Sequence, residues 1–466
     1  MIKEGKNRDE QVLMLPERSV TNPPEDVAND SDIRESTSSK AYEGEAIAIV
    51  SGKPRPNQIR DRWKSVRLRD AMPILKDLYA GRNTEVGGAA NKQLEEAFSR
   101  LTGCKHALAV NSGTAALHSA FFALGVQAGD EVILPSYTFF ASATPLLQLG
   151  ARPIFCEIDS KTLTIDVADV ESRITERTKA ICAVHVWGNP CRMDLLMDLS
   201  KRTGIPVVED CSHAHGATFE GKSVGSFGSV GCFSMQGNKA VSGGEAGMIV
   251  TNSATLYDRM LALGHNGRTG SDQKNQTFDI GPLSYGLKYR PHLFALRLAM
   301  SSFSRLQELN RRRQENLDIL TREFSRNGVL APIASYPNAQ RGGFLEFLFR
   351  YSPVMAGEWS REAFVQAVQA EGFPIGVDRY SAFGATFRHL HEASIFNRLD
   401  DEGIGGAVRS SLISSGPLER TETVCRNLVT FPAFTKVKPS ELRALAMAVA
   451  RVADFARSCP DMRAAR

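Results

Sequence analysis

Apolar and polar positions follow two rhythms along this chain, and the places where the rhythm changes mark its organisation. Up to about residue 60 neither rhythm is present: the stretch is rich in Asp, Glu, Ser, Asn and Pro, as in Asn22-Pro-Pro-Glu-Asp-Val-Ala-Asn-Asp-Ser-Asp. Such a composition buries too little apolar surface to offset the entropy of ordering, so residues 1–60 are expected to be mostly a disordered tail. From residue 61 onward, apolar runs of strand length recur at His106–Val110, Glu131–Pro135, Pro153–Cys156, Ala180–Val184 and Pro206–Val208. Segments with helical spacing lie between several of them, including the Ala/Leu-rich stretch to Leu124 and Met193–Thr203. This βαβα alternation predicts an α/β fold, a mainly parallel sheet flanked by helices on both faces. A long helical pattern follows from Leu293 to about Phe324 and ends near Asn327-Gly328. Beyond it, Gly343–Arg350, Arg361–Gln369 and Ser440–Arg457 carry strand and helix signals of their own. The expected organisation is a tail (1–60), a large α/β domain (61–329) and a smaller C-terminal α+β domain (330–466).

Composition narrows the class of protein. A chain of 466 residues is long enough for two or three folded units. Its apolar fraction of 42% and charged fraction of 23% are those of a globular protein, and a net charge of +4 gives no basic surplus for nucleic acid. The eight cysteines are scattered, mostly within apolar runs, and none forms a Cys-x-x-Cys pair. That usage suits a reducing, cytoplasmic setting and predicts no zinc site. No apolar run has membrane-spanning length and the N-terminus has no signal-peptide core, so no membrane partner is expected.

In open α/β sheets ligands bind beyond the carboxyl ends of the strands, and three segments there carry chemistry. In Asn111-Ser-Gly-Thr-Ala-Ala116, the N–H groups of Gly113, Thr114 and Ala115 would face outward at a helix N-terminus, with the Thr114 hydroxyl beside them. This suits a phosphate monoester, although Ser-Gly-Thr also makes an ordinary helix cap. The second segment is Glu209-Asp-Cys-Ser-His-Ala-His-Gly216, directly after Ile205-Pro-Val-Val208. An acidic pair ending a buried strand is costly unless something cationic meets it. A protonated pyridine nitrogen is one such partner; a structural salt bridge, or a metal held with His213 and His215, are others. Histidines two residues apart point in different directions on a strand or helix, which disfavours the metal. The third segment is Cys232 to Gly247, where Lys239 follows the apolar stretch Val230–Met235 in a glycine-rich loop. A lone lysine there is ordinarily a surface residue. Desolvated, it loses proton affinity, and its neutral amine attacks an aldehyde. Ser234 is a further phosphate donor, and Pro135-Ser-Tyr-Thr-Phe-Phe140 offers an aromatic ring to stack on a flat heterocycle. Together these groups are the set needed to hold pyridoxal 5′-phosphate through a lysine.

At these positions the chain resembles the DegT-type (DegT/DnrJ/EryC/StrS) sugar aminotransferases of fold type I. The marks run from roughly 85 to 300: Ser112-Gly-Thr-Ala-Ala-Leu117, Asp130-Glu-Val-Ile-Leu-Pro135 with Thr138-Phe139, Val184-His-Val-Trp-Gly188, Glu209-Asp210, Gly225-Ser-Phe-Gly228, Cys232-Phe-Ser-Met-Gln236, Lys239 and Gly244-Glu245. The resemblance implies a homodimer with shared active sites and pyridoxal 5′-phosphate as cofactor. It implies Lys239 as the Schiff-base lysine, Asp210 as partner of the ring nitrogen, Phe139 stacked on the ring and His213 near the phenolic oxygen. Gly113, Thr114 and Ser234 would hold the phosphate, joined by Lys288 of the partner chain, where many members have Asn. Where the family commonly reads Gly-Glu-Gly-Gly after the lysine, this chain has Ala246. The implied reaction is ping-pong transfer of an amino group from glutamate or glutamine to a keto-sugar, usually nucleotide-linked, or less often a keto-cyclitol. Dehydratases on the same fold carry histidine in place of the lysine, and a noncatalytic cofactor-binding regulator would need an appended module. The acceptor-choosing residues are expected in the C-terminal region, with Arg379, Tyr380 and His389 as candidates.

Overall fold

Each apolar run between 106 and 208 becomes a strand of one seven-stranded sheet. A computed structural model describes residues 47–84, 86–268, 285–380, 390–397 and 417–459. In chain order the strands are β1 (His106–Val110), β2 (Glu131–Pro135), β3 (Arg152–Cys156), β4 (Thr178–Val184), β5 (Val207–Asp210), β6 (Val230–Ser234) and β7 (Gly247–Thr251). Their spatial order is β1-β7-β6-β5-β4-β2-β3. The pairs from β6 through to β3 are parallel, whereas β7 is antiparallel to both neighbours. A parallel return needs a crossover element; the chain between β6 and β7 is only a loop, so β7 comes back antiparallel. That loop is the one carrying Lys239.

The strands are buried almost throughout, as expected where helices cover both faces. These helices are α1 (Ala89–Thr102), α2 (Gly113–Ala123), α3 (Met193–Thr203), α4 (Ala254–Gly264) and α5 (Leu293–Phe303). Alternate residues of one strand serve opposite cores. On β1, Leu108 and Val110 pack with Phe121 of α2, and Ala107 and Ala109 pack with Leu94 and Phe98 of α1.

The long helical pattern expected from Leu293 to Phe324 is two helices, α5 and α6 (Leu306–Ser325). The break at Arg305 has a tertiary cause. Its guanidinium donates to the carbonyls of Lys64 (2.8 Å) and Ser65 (2.6 Å) and lies 5.3 Å from the Trp63 ring centroid. Beyond α6 stands a four-stranded antiparallel sheet of β8 (Leu330–Pro332), β9 (Glu346–Tyr351), β10 (Gly376–Val377) and β11 (Leu428–Pro432), in the order β8-β9-β11-β10. Helices α7 (Arg361–Ala370) and α8 (Pro439–Ser458), together with α6, share one core with this sheet, centred on Phe324, Phe349, Phe431 and Val449.

Residues 47–60, grouped with the tail by composition, pack onto this second core. Ile59 is buried in it, the Ala48 N–H donates to Glu371 at 2.6 Å, and Arg55 N–H donates to the Ala370 carbonyl at 2.7 Å. Most of these contacts are backbone and ionic and the few apolar residues among them follow no regular period, so the sequence does not announce them. Residues 1–46 lie outside the described residues.

Candidate active site

The carboxyl ends of β4, β5 and β6 and the N-terminus of α2 open onto one cavity of about 350 Å³. Strand register aligns them: Asp210 lies opposite Val184 on one side and Cys232 on the other, and Ser234 lies opposite Gly247. Two glycines bring the segments together. A Cβ on Gly113 would come within 2.6 Å of the Ser234 Cβ, and one on Gly247 within 2.3 Å of the Ser112 carbonyl oxygen. Any side chain at either point would push the α2 N-terminus off β6 and β7.

That contact builds the anion corner. Ser112 caps α2, accepting the Ala115 N–H at 3.0 Å. The expectation of a free Ala115 donor is therefore corrected: its hydrogen is spent on the cap. Gly113 and Thr114, in the first turn of α2, line the cavity beside Ser234.

Asp210 is buried and held from two directions. The Ser142 hydroxyl donates to its Oδ2 at 2.8 Å, and the Ser212 N–H to its Oδ1 at 3.0 Å. Thr138 Oγ1 lies 2.9 Å from Ser142 Oγ, and with the Ser142 proton given to Asp210, Thr138 is the donor of that pair. Glu209, next in sequence, faces the other way and serves the scaffold. Its oxygens accept the N–H groups of Gly225, Phe227 and Gly228, each at 2.7 Å, and face His185 Nε2 at 3.1 Å. Backbone dipoles rather than a lysine or arginine meet this half of the acidic pair.

His213 and His215 diverge, as their spacing requires. His213 lines the cavity, whereas His215 is buried with its ring against Phe98 and Phe233. The Trp187 N–H donates to His213 Nδ1 at 3.2 Å, and Tyr380 Oη lies 3.1 Å from Nε2. Burial, with Lys239 adding to it, holds the imidazole well below its usual pKa. A neutral ring that accepts at Nδ1 carries its proton on Nε2 and donates it to Tyr380. Trp187 delivers its N–H from a left-handed backbone (φ 53°), which costs energy for a non-glycine residue. Its indole stacks on Tyr380 at 4.7 Å and donates to Tyr137 Oη at 3.0 Å. Phe139 also lines the cavity, half-exposed, with its ring available from the open side.

Lys239 completes the wall. The loop is pinned by Met235 N–H to the Ala246 carbonyl (2.8 Å) and Gly243 N–H to the Met235 carbonyl (2.9 Å), so Ala246 leaves that turn closed. Burial pushes the Lys239 amine down to about 8; the Arg379 guanidinium adds to this and Asp210 opposes it. An amine of depressed proton affinity, a carboxylate, a neutral histidine, an aromatic ring and a helix N-terminus thus face one space. This donor set fits a flat, phosphorylated pyridine aldehyde.

Seven of the eight expected positions (Lys239, Asp210, Gly113, Thr114, Phe139, His213 and Ser234) meet at this cavity. Lys288 is exposed and does not line it; its carbonyl accepts the Asn111 side-chain amide at 3.1 Å. Of the acceptor candidates, Arg379 and Tyr380 line the cavity, and His389 lies outside the described residues. Sequence reasoning gave no role to Ser142, because nothing in Phe140-Ala-Ser-Ala143 sets it apart before folding brings it to Asp210.

The model of the DegT/DnrJ/EryC1/StrS aminotransferase family matches residues 70–394. The chain belongs to this family. Among DegT-family relatives, it is 36% identical to GDP-perosamine synthase of Escherichia coli O157:H7 over 234 residues, which is 50% of this chain and 63% of that one. The match thus spans less than two thirds of that relative's length. It is 34% identical over 346 residues to L-glutamine:scyllo-inosose aminotransferase of Streptomyces griseus, covering 71% of this chain and 80% of that protein. The crystal structure of 3-amino-5-hydroxybenzoic acid synthase superposes with a TM-score of 0.72 at 25% identity, covering 86% of this chain and all of that one. The architecture is fold type I, α/β with a mixed central sheet.

Proposed function

We propose that the protein is a pyridoxal 5′-phosphate-dependent aminotransferase that moves an amino group from glutamate or glutamine to a nucleotide-linked keto-sugar. The observation that carries this reading is Lys239, its amine depressed toward neutrality in the same cavity as Asp210. When bound, the cofactor supplies an aldehyde that takes up amines and a ring that accepts the electron pair left when the donor's Cα–H bond breaks. Gly113, Thr114 and Ser234 would hold its phosphate, Phe139 would cover its ring, and His213 would lie by its phenolic oxygen. Asp210, fixed by Ser142 and Ser212, would hold the proton on the ring nitrogen. Lys239 Nζ takes the proton from the donor's Cα in the first half reaction and returns one to the acceptor's carbon in the second.

The reading includes a homodimer in which Lys288 of each protomer reaches the phosphate in its partner. It is supported by the exposure of Lys288 and by the cavity itself, whose lining cations are only Lys239 and Arg379 among the described residues. The eight cysteines are all unpaired, which suits a reducing cytoplasm. Among the described residues no helix is long and apolar enough to cross a membrane. A keto-cyclitol is the second reading for the acceptor, because the scyllo-inosose aminotransferase relative is matched over 80% of its length.

The test is spectroscopic. Cofactor-loaded protein should be yellow, borohydride should fix the cofactor to the peptide containing Lys239, and glutamate or glutamine should bleach the visible band. Restoring the band with keto-sugar nucleotides, and separately with keto-cyclitols, then identifies the acceptor. A loaded protein whose band no amino acid alters would defeat the proposal.

A further inference from the structure

Under the aminotransferase reading, one cavity receives two unlike molecules in turn: an α-amino acid bearing a carboxylate, and an acceptor keto-polyol whose reacting end has none. A carboxylate entering a partly desolvated site needs a cation. Among the described residues, two cationic side chains line the cavity, Lys239 and Arg379. Lys239 is committed to the cofactor aldehyde, and the N-terminus of α2 to its phosphate. The acidic lining residues, Asp210 and Glu245, repel a carboxylate. Arg379 is what remains.

Its setting suits that task. Arg379 stands two residues beyond β10, and half of its side chain is exposed. It forms an ion pair with Glu346, the first residue of β9, whose side chain is largely buried. The second Glu346 oxygen is buried and has no hydrogen-bond partner among the described residues, so within them this carboxylate is compensated by Arg379. The guanidinium also acts on the reacting end of the cavity, since its charge lowers the proton affinity of both Lys239 and His213. A planar guanidinium has five N–H donors, enough to keep one edge on Glu346 and present another to a second carboxylate.

We infer that Arg379 recognises the α-carboxylate of the amino donor, and that Glu346 is the internal counter-ion that holds the guanidinium while the acceptor occupies the cavity. The inference rests on the aminotransferase reading of this same site. It makes Arg379 a donor-side residue, where the sequence had suggested the acceptor side.

The experiment compares the amino donor that bleaches the visible band, L-glutamate or L-glutamine, with its α-carboxamide. Wild-type protein should respond to the carboxylate at far lower concentration than to the carboxamide. In Arg379→Gln the half-saturating donor concentration should rise about 10- to 100-fold, the loss of one charge-assisted hydrogen-bonded contact, and the preference over the carboxamide should collapse. Arg379→Lys, which keeps the charge, should retain part of the preference, and Glu346→Gln should tighten the donor several-fold by removing its competitor. Binding of glutarate, a dicarboxylate with no amine, measured by calorimetry on the loaded protein, should weaken in parallel in Arg379→Gln. An Arg379→Gln protein that holds the cofactor and keeps the wild-type preference overturns the inference, as does one that binds glutarate like wild type. A wild-type band indifferent to every donor removes the aminotransferase reading instead, and glutarate affinity lost in Arg379→Gln would still mark Arg379 as a carboxylate site.

Discussion

Lys239 shows how little a residue means before its surroundings are known. In sequence it is one cation in a glycine-rich loop; in the fold its amine sits near about 8 because burial disfavours its charge. The sign of the consequence is definite. A depressed amine is protonated and inert below about 8 and neutral above it, so cofactor-free protein should take up pyridoxal 5′-phosphate faster as pH rises, by about tenfold per unit until the curve flattens near 8. An unperturbed lysine would keep the rate climbing toward pH 10, which stopped-flow measurement of the visible band distinguishes. Replacing the amine altogether, in Lys239→Ala, should abolish fixation by borohydride and cut turnover by roughly 10²- to 10⁴-fold, the usual worth of a positioned acid–base group. Turnover at the wild-type rate would show that another group carries the proton.

Among the elements, the β5 end and the β6–β7 loop divide the work between scaffold and chemistry. Adjacent residues on β5 face opposite sides: Asp210 enters the cavity, and Glu209 gathers three backbone N–H groups and His185. Glu209→Gln would turn an amide N–H₂ toward those donors, so it should lower unfolding free energy by at least about 2 kcal/mol in chemical denaturation. The cofactor band should stay at its wild-type position, because Glu209 does not line the cavity. A shifted band would mean that the 225–228 loop also shapes the site. The strands, the α2 cap region and the acidic pair were legible because each depends on local chemistry: apolar runs, Ser-Gly-Thr and charge after a buried strand. β7 and the α5–α6 break were not, since one follows from a loop with no crossover and the other from Arg305 meeting the Lys64 and Ser65 carbonyls.

Across the whole molecule, the stretch 47–64 is a strap on the second core, although composition assigns its residues up to 60 to the tail. Asp61 accepts the Thr435 and Lys436 N–H groups at 2.7 and 2.9 Å, and Arg62 forms a two-pronged pair with Glu441. A protein starting at residue 47 should melt like the full chain, whereas one starting at residue 65 should lose at least about 2 kcal/mol, the worth of one or two hydrogen bonds to a charged group. Equal stability of the two truncations would show the strap to be dispensable. The fold class was set by the sequence itself, because apolar periodicity, glycines beside strand ends and charge directly after a buried strand are properties of short segments. What only the tertiary structure decided is how each group is tuned: Ser142 on Asp210, the Trp187 N–H on His213, Arg379 between Glu346 and the cavity. Those partners lie between 26 and 68 residues apart in sequence, as with Trp187–His213 and Ser142–Asp210, and no local pattern joins them. Their influence is electrostatic and steric, acts over a few ångströms, and exists only once the strands have brought the segments together.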